Sequence, residues 1–87
     1  MGLNKNYILK KVGKDYSIIP IKENNVEFTE IFNINSTGVL IYQNLEKGKN
    51  KEEILEILCN TYNASKETIS KDLDDFINEL KKHNIYE

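Results

Sequence analysis

The hydrophobic pattern of the chain changes near residue 35. Before it, residues 7–12 and 16–21 are rich in β-branched and aromatic side chains and are separated by a short glycine-containing turn, which predicts a β-hairpin. A short β-like run follows at 26–28. Residues 31–35 alternate apolar and polar side chains, as a half-buried strand does. The strands are therefore expected within about 7–35.

After residue 35 the pattern becomes helical. Apolar residues recur at spacings of three and four, which predicts helices at about 36–47, 51–62 and 66–83. Each of these segments follows a side chain that can accept a hydrogen bond from the first helical turn. The candidate caps are Asn35 or Ser36, Asn50, and Ser65.

Each predicted helix has one apolar face, so the helices must pack together and cover one side of the sheet. An N-terminal three-stranded antiparallel sheet followed by a three-helix bundle is an α+β fold, winged-helix-like but with the wing first. The chain has 87 residues and shows no internal repeat or linker. A single domain over 1–87 is therefore expected.

Composition narrows the class of protein. Hydrophobic residues make up 39% and charged residues 30%, as in a folded globular chain. No apolar run is long enough to span a membrane, and no signal-peptide core follows Met1. Cys59 is the single cysteine, which excludes an intramolecular disulfide. We expect a reduced, cytoplasmic protein without a membrane partner.

The sequence offers little material for catalysis. Cys59 falls on the apolar side of the second helix, where a structural thiol is expected. His83 follows the third helix, where the helix dipole stabilises a histidine side chain on the surface. One cysteine and one histidine cannot supply a zinc site of the usual ligands, and no phosphate-binding glycine motif is present. We expect no enzyme, no catalytic residue, no metal and no cofactor.

The predicted fold also suggests DNA binding through the third helix. That helix carries four lysines against five acidic residues, and the chain contains no arginine. Affinity for nucleic acids rests mainly on neutralising phosphates, so no nucleic-acid partner is expected. Residues 1–25, with five lysines against two acidic residues, are basic and keep a DNA-binding winged-helix protein as an alternative.

The predicted strand 31–35 contains no charge, proline or glycine, so its edge can template an added peptide strand. If the third helix lies beside it, an apolar groove with an acidic rim forms between them. Such a groove suits an extended peptide with a few apolar anchors and some charge. The predicted peptide-binding residues are Ile31, Phe32, Asn33, Ile34, Asn35, Ile69, Lys71, Asp72, Leu73, Asp75, Phe76 and Glu79.

An ordered set of residues over 34–85 carries a family resemblance. The set is Ile34, Asn35, Thr37 and Gly38 leading into the first helix, Glu52, Glu53 and Ile54 opening the second, and Asp72, Phe76 and Leu80 on the third. Together with the strand pattern before it, this set is similar to the pyrroloquinoline quinone biosynthesis D-type family, the PqqD-like proteins.

The resemblance implies a non-catalytic recognition element for a ribosomally synthesised precursor peptide. In that family the leader segment adds as a strand to the third strand, in the groove against the third helix. The domain then presents it to a modifying enzyme, often a radical S-adenosylmethionine enzyme. The implied partners are therefore a leader peptide and such an enzyme.

Other roles stay open at this point. In lasso-peptide pathways, similar small proteins partner a leader peptidase, and a purely structural subunit of an enzyme complex is a further possibility. An exposed strand edge can also pair with its own copy, so a monomer or a weak dimer is expected.

Overall fold

The computed structural model describes residues 2–22, 25–26 and 32–86. A three-stranded antiparallel sheet with one short additional strand precedes three helices, which confirms the predicted α+β class and order. The elements are β1 (Tyr7–Val12), β2 (Asp15–Lys22), β3 (Asn25–Val26), β4 (Phe32–Ile34), α1 (Ser36–Glu46), α2 (Lys51–Thr61) and α3 (Lys66–Lys82).

The strand β2 lies at the centre of the sheet. Antiparallel β1 pairs along one of its edges, from Tyr7 opposite Pro20 to Val12 opposite Asp15. Along the other edge, β4 pairs antiparallel with residues 16–18 and the two-residue β3 with residues 21–22. The strand predicted at 31–35 is thus β4, three residues long. From the predicted run at 26–28, only residue 26 is among the described residues.

Pro20 lies inside the central strand, opposite Tyr7. The N–H of Ile21 donates to the carbonyl of Asn6 at 2.6 Å, on the β1 side. Because N–H groups alternate in direction along a strand, the nitrogen of Pro20 points to the opposite edge. The two described ladders on that edge stop at Ile18 and resume at Ile21. Pro20 therefore removes no hydrogen bond from any described ladder.

Short-range hydrogen bonds start each helix. Asn35 caps α1 by accepting the N–H of Gly38 at 2.9 Å, and Ser65 caps α3 through its hydroxyl. At the start of α2, Asn50 and Glu53 each accept the other's backbone N–H, which forms a capping box. The three residues at which the helices are predicted to end, 47, 62 and 83, are their C-caps.

The core lies between one face of the sheet and the three helices. Leu9, Ile18 and Phe32 are in register across β1, β2 and β4 and therefore share that face. The buried core residues are Ile18, Ile41, Tyr42, Leu45, Ile54, Leu58, Ile69, Leu73, Ile77, Leu80 and Ile85. Cys59 is half-buried and packs against them, on the side of α2.

Residues 2–7 form hydrogen bonds with residues 83–86, and we call these two segments the clasp. The Asn4 N–H donates to the carbonyl of Ile85 at 2.7 Å, and its side-chain amide donates to that of Asn84 at 3.0 Å. The hydroxyl of Tyr7, on β1, donates to the carbonyl of His83 at 3.3 Å. The clasp therefore holds the end of α3 against the start of the sheet.

Tyr42, the buried tyrosine of α1, makes the stability of the fold depend on pH in the alkaline range. Burial, with a smaller effect of the Glu46 charge, raises the pKa of Tyr42 from 10.0 to about 12. Because the folded pKa is the higher one, the stability gained from the neutral phenol is complete below pH 10.0 and falls as pH rises toward about 12.

Chemical denaturation should therefore show that wild type loses stability relative to Tyr42→Phe as pH rises through this interval. Tyr16→Phe, at an exposed site, is the matched control and should follow wild type. Parallel pH curves for wild type and Tyr42→Phe would contradict the assignment.

Candidate peptide-binding groove

One edge of β4 pairs with β2, and no described strand pairs with the other. The hydrogen-bond alternation set by the β1–β2 ladder directs the backbone groups of Tyr16 and Ile18 toward β4. These residues are opposite Ile34 and Phe32, whose backbone groups therefore face β2. The N–H and C=O of Asn33 consequently point outward, where a further strand can pair with them.

A side-chain hydrogen bond fixes the register of β4. Ser17, which is 2% exposed, lies directly opposite Asn33. Its hydroxyl donates to the Asn33 side-chain oxygen at 2.6 Å. This contact is on the sheet face opposite to Phe32, because side chains alternate along a strand. The Asn33 side chain therefore anchors β4, while its backbone groups pair with no described residue.

Three aromatic side chains join β4 to α3, and we call them the aromatic cluster: Phe32, Phe76 and His83. The ring centroid of Phe32 lies 6.4 Å from that of Phe76 and 5.0 Å from that of His83. Both pairs are stacked, with interplanar angles of 19° and 29°. The Nε2 of His83 also lies 3.6 Å from the carboxylate of Glu79. The cluster therefore bridges the strand and the helix, and together with Ile34 it forms the candidate groove.

The start of α1 closes against the same groove. Gly38 is buried in the first turn of α1. A Cβ at this position would lie 2.9 Å from Cε1 of Phe76 and 3.1 Å from Cβ of Ile34. The missing side chain therefore lets α1, β4 and α3 meet at one point.

The predicted apolar floor divides into exposed and buried parts. Phe32, Ile34 and Phe76 are half-buried and offer surface to a ligand. Leu73 is 0% exposed and Ile69 only 6%, so these two side chains belong to the core beneath the floor. The correction concerns the floor only, which these two side chains support from beneath, because both also line a pocket beside it.

The predicted polar residues of α3 fall into two groups, of which only the acidic one lies beside the candidate groove. Asp72, Asp75 and Glu79 are exposed on α3, at spacings of three and four that put them on one flank. Lys71 is exposed too, but five helical positions place it about 140° around the axis from Phe76. It lines a recess with Asp74, whose carboxylate pairs with Lys51 of α2. Lys71 therefore lies toward the α2 side and away from the groove.

Two predicted binding residues, Ile31 and Asn35, flank β4 in the sequence. Ile31 is outside the described residues. Asn35 is exposed, and its side chain is occupied as the cap of α1. Sequence reasoning missed His83 as a groove residue. Its position seven residues after Phe76, two helical turns along the same face, is the signal that points to it.

A pocket of about 220 Å³ adjoins the groove, at the end of the bundle where α1 and α3 begin. Thr37, Tyr62 and Ile69 are among its lining residues, and Asp72 lies at its boundary with the acidic flank. Sequence reasoning did not predict it, because its walls come from separate helices. It extends the apolar surface beyond the first turn of α1.

The described residues contain neither a metal-binding cluster nor a membrane-spanning helix. Over residues 2–22, 25–26 and 32–86, no group of His, Cys, Asp and Glu side chains is arranged to hold a metal ion. Among the helices in that part of the chain, none is long and apolar enough to cross a membrane.

A family profile described as "Coenzyme PQQ synthesis protein D (PqqD)" matches residues 22–85. The chain belongs to the PqqD family. The match runs from the end of β2 through the last residue of the core, so it includes β4, all three helices and the groove between them. The resemblance inferred from the sequence is confirmed. No curated protein sequence matches the chain.

Two solved structures share the fold of this PqqD-family chain. One is TbiB1 in complex with the TbiA(beta) leader peptide, with a TM-score of 0.81 and 23% identity, covering 100% of this chain and 95% of that one. The other is lasso peptide synthetase B1 complexed with the leader peptide, with a TM-score of 0.76 and 18% identity, covering 97% and 92%. At these identities the likeness establishes the fold.

A side chain at Gly38 should disturb the junction of α1, β4 and α3. Helix propensity alone favours Gly38→Ala by about 0.5–1 kcal/mol. Displacing the Phe76 ring and Ile34 should cost about 1–3 kcal/mol and outweigh that gain. Urea denaturation should therefore show a lower midpoint for Gly38→Ala. Gln43→Ala, at an exposed position of the same helix, is the control and should stay within about 0.5 kcal/mol of wild type. A stabilised Gly38→Ala would show that the junction has room.

Proposed function

We propose that this chain binds the leader segment of a ribosomally synthesised precursor peptide, which adds as a strand to the outer edge of β4. The outward-facing N–H and C=O of Asn33, beside an apolar groove, are the observation that carries the proposal. Membership of the PqqD family supports it. Further support comes from the two structures of the same fold, each a complex with a leader peptide.

The geometry suits an extended peptide. A strand added to β4 presents alternate side chains to the two faces of the sheet, so every second residue meets the groove. There it contacts the aromatic cluster and Ile34, whose rings and methyl groups can cover apolar anchors. The pocket beside Thr37 can take an anchor farther along the peptide. Backbone pairing supplies affinity and the anchors supply selectivity.

The acidic flank of α3 shapes which peptides are accepted. Asp72, Asp75 and Glu79 favour basic side chains near the anchors. Because these carboxylates are exposed, they act more on association rate and selectivity than on affinity. The proposed contact residues are Phe32, Asn33, Ile34, Asp72, Asp75, Phe76, Glu79 and His83, supported from beneath by Ile69 and Leu73.

The bound leader is presented to an enzyme that acts on the rest of the precursor. The family resemblance favours a radical S-adenosylmethionine enzyme as that partner. The second candidate is a leader peptidase in a lasso-peptide pathway, which the likeness to lasso peptide synthetase B1 favours. Both assign this chain a non-catalytic role. Co-purification with each enzyme encoded beside its gene, with and without the leader, distinguishes the two.

Removing one backbone donor tests strand addition directly. Asn33→Pro deletes the N–H that faces outward and leaves the backbone hydrogen bonds to β2 in place, as proline permits on an edge strand. We expect binding of the leader peptide encoded beside the gene to weaken by about threefold to tenfold, the equivalent of one hydrogen bond. Isothermal titration calorimetry measures the change.

Asn33→Ala is the matched control for this substitution. It removes the same side chain, and with it the hydrogen bond from Ser17, but keeps the backbone N–H. It should bind more tightly than Asn33→Pro by that margin. Equal affinities of the two folded variants would refute pairing at this edge. In the wild-type protein, leader-induced ¹⁵N–¹H shifts confined to residues outside β4 and α3 would also refute the site.

His83 provides a test that depends on the tertiary structure. His83→Ala removes the ring stacked on Phe32, which in the proposed site also covers an apolar anchor of the peptide, and an aromatic contact of this kind contributes about 0.5–1.5 kcal/mol. We expect leader affinity to fall by about twofold to tenfold. His83→Phe keeps a stacking ring and should restore most of the affinity. Lys82→Ala, exposed and adjacent, is the control. Unchanged binding by His83→Ala would remove this residue from the site.

A further inference from the structure

A second cavity, of about 430 Å³, lies where residues 2–7 cross the end of α1. We call it the clasp pocket. Its walls come from the clasp, from the last turns of α1 and from residues 48–49. It shares no lining residue with the groove. Tyr7 lines the pocket, and its hydroxyl bonds to the backbone of His83, so the clasp separates the two sites.

Tyr42 provides the main sign that this cavity has a ligand. The residue is 1% exposed and lines the clasp pocket. No hydrogen bond joins its hydroxyl to any described residue. In that part of the chain every fully enclosed polar side-chain atom has a partner, so this hydroxyl reaches open space, which the cavity provides.

Because this hydroxyl reaches the cavity, a molecule that enters the pocket can accept its hydrogen bond in place of solvent. The pKa of Tyr42, raised to about 12 by burial and by Glu46, keeps the hydroxyl protonated at all ordinary pH values. It therefore acts as a hydrogen-bond donor with no acceptor among the described residues. A ligand entering the pocket is expected to supply that acceptor.

The charges around the cavity indicate which acceptor fits. Lys5 and Lys49 both line it, and neither forms an ion pair with a described residue. Glu46 is the one acidic side chain in the described lining, so the described walls carry one excess positive charge. Two ammonium groups and a phenol donor select an anionic oxygen, and charge-assisted hydrogen bonds of this kind are the stronger ones. Leu3 and Leu45 supply apolar wall beside them.

We propose that the clasp pocket is a second binding site, separate from the peptide groove, for a carboxylate carried on a small apolar body. The carboxylate accepts from the Tyr42 hydroxyl and is paired by Lys5 and Lys49, while the apolar part lies against the leucine side chains. A free organic acid and the C-terminal carboxylate of a peptide both present this chemistry.

Titration of the full chain with phenylacetate, followed by ¹⁵N–¹H spectra, tests the site. Phenylacetate should shift the amides of Leu3, Lys5, Glu46 and Lys49 and leave that of Asn33 unchanged. The neutral analogue phenylacetamide should bind at least about tenfold more weakly, because it lacks the charge. Absence of these shifts at millimolar phenylacetate, or equal binding of the amide, would overturn the proposal.

Two variants separate binding from folding. Tyr42→Phe removes the donor with little change in volume and should weaken phenylacetate binding by about tenfold or more. Lys49→Gln removes one cation and should weaken it as well. Lys71→Gln, a lysine outside both sites, is the control and should bind as wild type does. If a folded Tyr42→Phe variant binds phenylacetate as tightly as wild type does, the assignment is refuted.

A final arm identifies the source of the carboxylate. Acetyl-Ala-Leu with a free carboxyl end should compete with phenylacetate if the natural ligand is a peptide terminus, and its amidated form should not compete. If phenylacetate binds and neither peptide competes, a small organic acid is the ligand class. Leader binding at the groove is measured on the same samples, so failure of one site is distinguishable from failure of the other.

Discussion

The pairing of β4 with β2 is the constraint on which the groove depends. It spans three residue pairs and is fixed by the hydrogen bond from the Ser17 hydroxyl to Asn33. Because side chains alternate along a strand, this register alone turns Phe32 and Ile34 toward the helices. It also turns the backbone groups of Asn33 outward. A slip of one residue would exchange the two faces and remove both the floor and the free donor.

The rest of the groove is built against that strand from distant parts of the chain. Phe76 reaches Phe32 from α3, and His83 reaches it from the C-cap of that helix. Gly38 lets the first turn of α1 pack close to both the strand and that helix. Leu73 fills the space beneath. These packed contacts hold the groove in place before any ligand arrives. A preformed groove reduces the ordering cost of binding, which suits recognition of an otherwise flexible peptide.

The clasp connects the two sites that we propose. Its hydrogen bonds hold the end of α3, where His83 belongs to the aromatic cluster, and its other side forms a wall of the clasp pocket. The two sites differ in charge, since the groove has an acidic flank and the pocket an excess of lysine. A small binding protein with two such surfaces can hold a peptide on one while it engages a second ligand on the other.

The helices, the hairpin and the family could be predicted from the sequence, because their signals are local. Asn35, Asn50 and Ser65 bond to groups within three residues, and apolar spacing alone identifies the helices.

The packing of the elements determines which of those residues form a surface. Leu73 and Phe76 belong to one helical stripe, yet only Phe76 stays half-exposed; Lys71 faces away although it lies among the groove residues in sequence. Pro20 is tolerated in the central strand because its nitrogen faces the interval between the two described ladders. His83 meets Phe32, and Tyr42 meets the clasp, across long stretches of chain. Burial and such contacts depend on how elements pack, which no local pattern of residues encodes.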